Sequence, residues 1–193
     1  MRRKQFYDNS CGAASLLCAA GELGVPNLPN FPESRCVGQV LDTNISCESA
    51  LYQITSGATT GNKPIGMNLC NAGYSLPHNL VFAARLLGLD GDVHMETGSY
   101  SSALSWLYPS CESLCTQSNI TIRNTAPPQL MPNERLLRIV GVMKAAGLHY
   151  VMQRPAGTYM DPADGQDYNT FNEMNNSWLK CYSNTGISIL LRG

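Results

Sequence analysis

Residues 11–24, CGAASLLCAAGELG, constrain the fold more than any other stretch of the chain. The run is rich in Ala and Leu, and Gly24 with Pro26 two residues later supplies a stop, so it predicts a helix that begins at or beside Cys11. Three prolines and two asparagines in residues 25–32 make a loop. A short helix is expected over 45–55, irregular chain over 56–75, and an amphipathic helix over 76–89, where apolar residues fall at 80, 83, 84 and 87 and Pro77 sits near the start. Residues 99–108 suggest one more helix, with Cys111 and Cys115 just after it. Past the proline-rich connection 124–132 the character changes. Residues 139–143, 148–153, 158–160 and 186–191 are short β-branched or aromatic runs separated by Gly, Pro and Asn. Helices first and strands second imply an α+β fold, and 193 residues fit one domain.

Composition narrows the function classes. Charged residues are 14% of the chain, against about 25% in an average soluble protein, and 13 basic residues nearly balance 14 acidic ones. Neither a charge-rich disordered segment nor a basic nucleic-acid binder has that balance. The cluster Arg2-Arg3-Lys4 is the one basic run and is expected to be a solvated end. No stretch approaches the ~18 apolar residues of a membrane span. Phe6-Tyr7-Asp8-Asn9-Ser10 is not the apolar core of a secretory signal, so a signal is either absent or already removed. Eight cysteines in 193 residues, about 4%, are above the average yet sparser than in a small disulfide scaffold, and they leave the compartment open.

Cysteine reacts as the thiolate, and a helix N-terminus favours the thiolate through its unpaired N–H groups and dipole. Cys11 stands where the first helix begins, followed by the small residues Gly12, Ala13 and Ala14, which would let a substrate backbone approach closely. A thiol nucleophile also needs an imidazole and a group to orient it. Of the three histidines, His78 lies beside Pro77 in a capping or surface position, and His94 lies on a candidate strand with nothing catalytic beside it. His149 opens the run His-Tyr-Val-Met and is followed by Gly157-Thr-Tyr-Met-Asp-Pro162. Two antiparallel strands joined by a turn at Pro155-Ala156-Gly157 would set residues 149–153 against 157–161, with His149 opposite Asp161.

Gln5 stands six positions before Cys11 in Gln-Phe-Tyr-Asp-Asn-Ser-Cys-Gly-Ala-Ala. This resembles the papain-like cysteine peptidases, in which the glutamine amide helps form the oxyanion hole. His-Tyr-Val followed by Tyr-Met-Asp-Pro-Ala-Asp-Gly looks most like the branch that includes the bacteriocin leader-peptidase domains. His149 lies 138 residues after Cys11, within the ~130–150 typical of papain-like chains. The resemblance covers about residues 5–24 and 147–165. It implies a papain-like fold with a nucleophile helix packed on a C-terminal antiparallel sheet, and a Cys11-His149-Asp161 triad with Gln5 in the oxyanion hole. Asn175-Asn176-Ser177-Trp178 resembles the Asn-Ser-Trp of papain itself, so Asn176 competes with Asp161. Asp161 is preferred on geometry, and Trp178 is assigned to packing.

A small freestanding domain of this kind looks like a secreted or translocated bacterial toxin or effector. The resemblance implies a protein or peptide substrate, a cognate inhibitor or immunity protein as a partner, no cofactor and no nucleic acid. The same thiolate serves peptide hydrolysis and glutamine deamidation, which differ in their leaving group. Peptidoglycan amide hydrolysis and an inactive papain-fold binding module are two more functions that such a domain could serve. Cys111-x3-Cys115 lacks partners for a zinc site, and the aspartates at 161, 164 and 167 lack the pattern of a calcium loop. Up to three disulfides are expected in an oxidising compartment, with Cys111 and Cys115 as candidates.

Overall fold

The computed structural model describes residues 3–28, 38–57, 69–96, 111–142, 147–176 and 180–193. Helix α1 (Cys11–Glu22) begins on the cysteine, and Gly24 takes φ +82° just beyond its end. Every residue from Cys11 to Ala20 is buried. Surrounded on all sides, this helix needs small and apolar residues on every face and has no solvent stripe. Helix α2 (Ile45–Thr55) is capped by the Asn44 side chain, which accepts from Cys47 N at 2.8 Å. After a 3-10 turn (Leu69–Asn71), α3 (Pro77–Leu86) carries its proline in the first turn, as anticipated.

Strand β1 (Asp90–Met95) follows, then α4 (Cys111–Gln117), β2 (Ile122–Arg123), β3 (Glu134–Val142), β4 (Gly147–Gln153), β5 (Tyr159–Asp161), β6 (Gln166–Tyr168), α5 (Phe171–Asn176) and β7 (Tyr182–Arg192). Among the described residues they form one seven-stranded sheet in the order β2-β1-β7-β3-β4-β5-β6, with only the β1–β2 pair parallel. The fold is α+β, as the sequence predicts and in keeping with a papain-like architecture. The helix-then-strand order is not strict: β1 precedes α4 and pairs with β7, close to a hundred residues later in the chain. Cys111 and Cys115 lie within α4; the helix expected over 99–108 falls outside the described residues.

The main core lies between α1, α2 and α3 and one face of the sheet, where Leu137, Ile139, Tyr150, Met152, Ile189 and Leu191 meet Leu16, Leu17, Leu51 and Leu80. A second cluster on the other face joins Val140, Val151, Tyr159 and Tyr182 to Met174 of α5. Gly12 explains how α1 enters the main core. A Cβ there would lie 2.5 Å from Ser75 Cβ and 3.2 Å from Leu80 Cδ1. The small residues after Cys11 therefore serve close packing inside the protein, not approach by a substrate, and Ala13 and Ala14 are wholly buried.

The far end of α1 is held electrostatically. Glu22 pairs with Arg135 of β3 at 2.8 Å and with Arg154, just after β4, at 2.8 Å. Burial alone would raise the Glu22 pKa, but the guanidiniums of Arg154 and Arg135 outweigh it and hold the carboxyl down to about 2. Because the folded-state pKa lies below the ordinary value, the anion contributes stability above about pH 4.5 and loses it as the pH falls toward about 2. Glu22→Gln should cost roughly 2–3 kcal/mol at pH 7 in urea unfolding, and the gap to the wild type should close by about pH 2.

Candidate active site

The beginning of α1 meets the beginning of β4. Ser15 Oγ contacts Tyr150 O at 3.5 Å, which ties the two elements side by side. Cys11, at the first position of α1, and His149, in β4, are both buried and line the same cleft, near enough for Cys11 to shift the imidazole. His149 Nε2 bonds Asp161 Oδ1 at 2.7 Å, so Nδ1 is the ring atom left for Cys11. The structure thus brings together the three residues singled out as a triad. Asn176 stands elsewhere: it is exposed at the end of α5, and it is Asn175 whose side chain accepts from Tyr182 N at 2.5 Å. Ser177 and Trp178 lie outside the described residues.

The hairpin differs in register from the sequence expectation. Met152 faces Met160 and Gln153 faces Tyr159, which places Val151, not His149, opposite Asp161. The cause is the turn, which closes one residue later, with Arg154 N donating to Thr158 O at 2.9 Å and Gly157 at φ +79°. Moving a turn by one residue moves each partner by two, so the side-chain face is preserved. His149 and Asp161 become diagonal neighbours on the same face and still meet.

Asp161 is fully buried and completely bonded. Oδ1 accepts from His149 Nε2 and from Ala163 N at 2.8 Å. Oδ2 accepts from Tyr182 OH at 3.0 Å and pairs with Lys180 Nζ at 2.8 Å. Burial would raise its pKa, but the bonds and charges of His149 and Lys180 prevail and hold it well below the usual carboxylate range. Burial likewise opposes a charged His149, yet Cys11 and Asp161 together raise the imidazole to about 10. The Tyr182 ring stacks on the imidazole with centroids 5.4 Å apart and fixes its plane. Burial pushes the thiol of Cys18, in the middle of α1, up to about 12, which disfavours its thiolate.

The segment before α1 is anchored by a residue that no sequence motif marks. Glu48 of α2 is buried and accepts from Phe6 N at 2.8 Å and Ser10 Oγ at 2.6 Å, and it pairs with Arg3 Nε at 2.5 Å. Arg3 is therefore an internal partner and not part of a solvated end. Ser10, at the N-cap of α1, gives its hydroxyl to this network and makes no side-chain cap. On the other side Gln5 N donates to Pro162 O at 2.7 Å, and Gly165 lets the backbone pass where a Cβ would be 2.5 Å from Lys4 N.

Gln5, Cys11, His149, Lys180 and Tyr182 line one cleft of about 620 Å³. The Gln5 amide nitrogen donates to Tyr7 O at 2.9 Å and Asp8 O at 2.7 Å, and its Oε1 is buried without a partner. Both of its N–H groups close the turn into α1 in this arrangement, whereas an oxyanion donor must present one to the cleft. Tyr7 O also accepts from Ser10 N at 3.2 Å, so one N–H can leave it without orphaning the carbonyl.

His78 and His94 take no part. His78 lies in the first turn of α3, and His94, buried in β1, contacts Thr125 O at 3.3 Å. The aspartates at 164 and 167 are spent on Lys180 and Arg154, and among the described residues no cluster of metal-ligating side chains occurs. Cys18 and Cys181 carry free thiols. The expected closure of Cys111 on Cys115 depends on the Cys111 side chain, outside the described residues.

A family model described as invasion plasmid antigen J, cysteine protease, matches residues 3–193. The chain belongs to that family. It is 42% identical over 204 aligned residues to the cysteine protease IpaJ of Shigella flexneri, an alignment covering 99% of this chain and 78% of that protein. The protein is accordingly a cysteine peptidase with a protein substrate. No helix among the described residues is long and apolar enough to cross a membrane.

Proposed function

We propose that Cys11 is the nucleophile of this peptidase, His149 its acid–base partner and Asp161 the group that orients the imidazole. The continuous line of contacts from the first residue of α1 through His149 to the buried Asp161, opening on one cleft, carries the reading. The thiolate attacks the scissile carbonyl carbon, and the imidazolium gives its proton to the departing amine as the thioester forms. Neutral His149 then takes a proton from water as the water oxygen attacks the thioester carbon; the C–S bond breaks, the acid leaves, and the Cys11 thiolate and the His149 imidazolium are restored. N–H groups of the first turn of α1, left uncapped by Ser10, face the developing oxyanion together with Gln5. The setting we propose is a bacterial effector delivered to act on a protein of another cell, a reading supported by the family's description as an invasion plasmid antigen.

Mass spectrometry of candidate proteins incubated with wild-type and Cys11→Ala protein tests the reading. Chain cleavage by the wild type alone supports it; cleavage by both removes Cys11 from the reaction, and a one-dalton gain without cleavage would mean side-chain deamidation. Gln5 has its own test. Gln5→Ala should lower kcat by about 10²–10³, the loss of one oxyanion donor, with little change in substrate binding. Near-wild-type turnover would leave Gln5 a turn residue and assign the oxyanion to backbone donors.

A further inference from the structure

Resting on that reading of the site, we infer that Lys180 is a positioning residue for the reaction: its ammonium, lodged between Asp161 and Asp164, fixes the Asp161 carboxylate in the orientation and charge state that His149 requires. Lys180 stands two residues before Tyr182, and the two side chains converge on Asp161 Oδ2. Nζ also lies 2.5 Å from Asp164 Oδ2, 2.9 Å from Tyr168 OH and 4.3 Å from the centre of the Tyr168 ring. The side chain is only 11% exposed. A surface lysine would sample many rotamers; this one is held by three residues.

The reaction gives the cation its purpose. In the resting pair, imidazolium balances the buried Asp161. Once His149 has passed its proton to the leaving amine, the ring is neutral and Lys180 is the cation still bonded to Asp161. Without it, the proton that His149 next takes from water would be drawn to a carboxylate lacking a counter-charge, and the base would be spent. Tyr182 can hold the geometry of Oδ2, but its hydroxyl carries no charge. The groups that set the protonation of the pair are Cys11 from α1, Asp164 and Tyr168 from the β5–β6 hairpin, Tyr182 from β7, and Lys4 and Asp8 on the cleft wall. Among them Lys180 is the cation bonded to Asp161.

The test is the pH dependence of Cys11 alkylation by iodoacetamide, read by peptide mapping so that Cys11 is resolved from the exposed Cys181. It needs no substrate. In Lys180→Met and Lys180→Gln the acid limb should move up by about one pH unit, a tenfold gain in proton affinity, because the thiolate and Asp161 each lose a neighbouring cation. Lys180→Arg should return it. A folded neutral variant with the wild-type profile overturns the inference, as does failure of both neutral variants to fold, which would make Lys180 a stability residue. Should wild-type Cys11 not label ahead of Cys181 at neutral pH, the nucleophile assignment falls and this inference with it. Rapid wild-type labelling with an unmoved variant profile removes the Lys180 inference alone.

Discussion

His149→Ala should yield a folded protein whose peptide hydrolysis is lower by roughly 10⁴–10⁶, the loss seen when one member of a catalytic triad is removed. The fold should survive because Asp161 keeps Ala163 N, Lys180 and Tyr182 as partners after the imidazole is gone. Chemistry should not, since the imidazole is the group beside Cys11 that can accept a proton and return it. The raised pKa of His149 adds a second readout with a definite sign. The imidazolium contributes stability that is complete below the ordinary value of 6.5 and is lost as the pH rises toward about 10. His149→Ala should therefore be most destabilising near pH 6 and lose that excess by about pH 10. Activity of the wild type should fall over the same alkaline range, because the leaving amine needs the imidazolium proton. A variant that retains substantial turnover would remove His149 from the reaction.

Much of this arrangement is legible in the sequence because it is local or periodic. The Ala- and Leu-rich run starting on Cys11 and ending before Gly24 dictates α1 almost to the residue, and β-branched runs mark β3, β4, β5 and β7. The face shared by His149 and Asp161 follows from strand periodicity and survives this error in the turn, because a turn displaced by one whole residue moves each partner by two. Gly12 shows where residue size misleads: a small side chain looks the same whether it admits a substrate or a neighbouring Ser75. Lys180 and Glu48 are not legible. Lys180 reaches Asp161 only once β7 has inserted beside β3, and Glu48 meets Ser10 across 38 positions. Charged residues whose worth lies in burial give little away in one dimension, since most lysines and glutamates are solvated.

Asp161→Asn and Asn176→Ala should separate by about 10⁴ in turnover, the effect of losing the imidazole tautomer in a triad whose geometry is otherwise intact. The asparagine amide matches the carboxylate in shape but is neutral, so it can neither hold the Nε2 proton on His149 with a charge nor balance the imidazolium of the resting pair. Lys180 would face a neutral group on that side and keep only Asp164 as its anion. Asn176, exposed on α5, touches none of these atoms, and its alanine variant should turn over like the wild type. Stability separates the two as well. The depressed pKa of Asp161 means its anion stabilises the fold above the ordinary 3.8, a contribution lost as the pH falls through the lower folded-state value. Asp161→Asn should therefore be more acid-tolerant relative to its own neutral-pH stability, while Asn176→Ala should follow the wild-type curve. A folded Asp161→Asn protein with near-wild-type turnover, beside an inactive Asn176→Ala, would transfer the orienting role to the Asn-Ser-Trp segment and require α5 to move toward His149 when substrate binds.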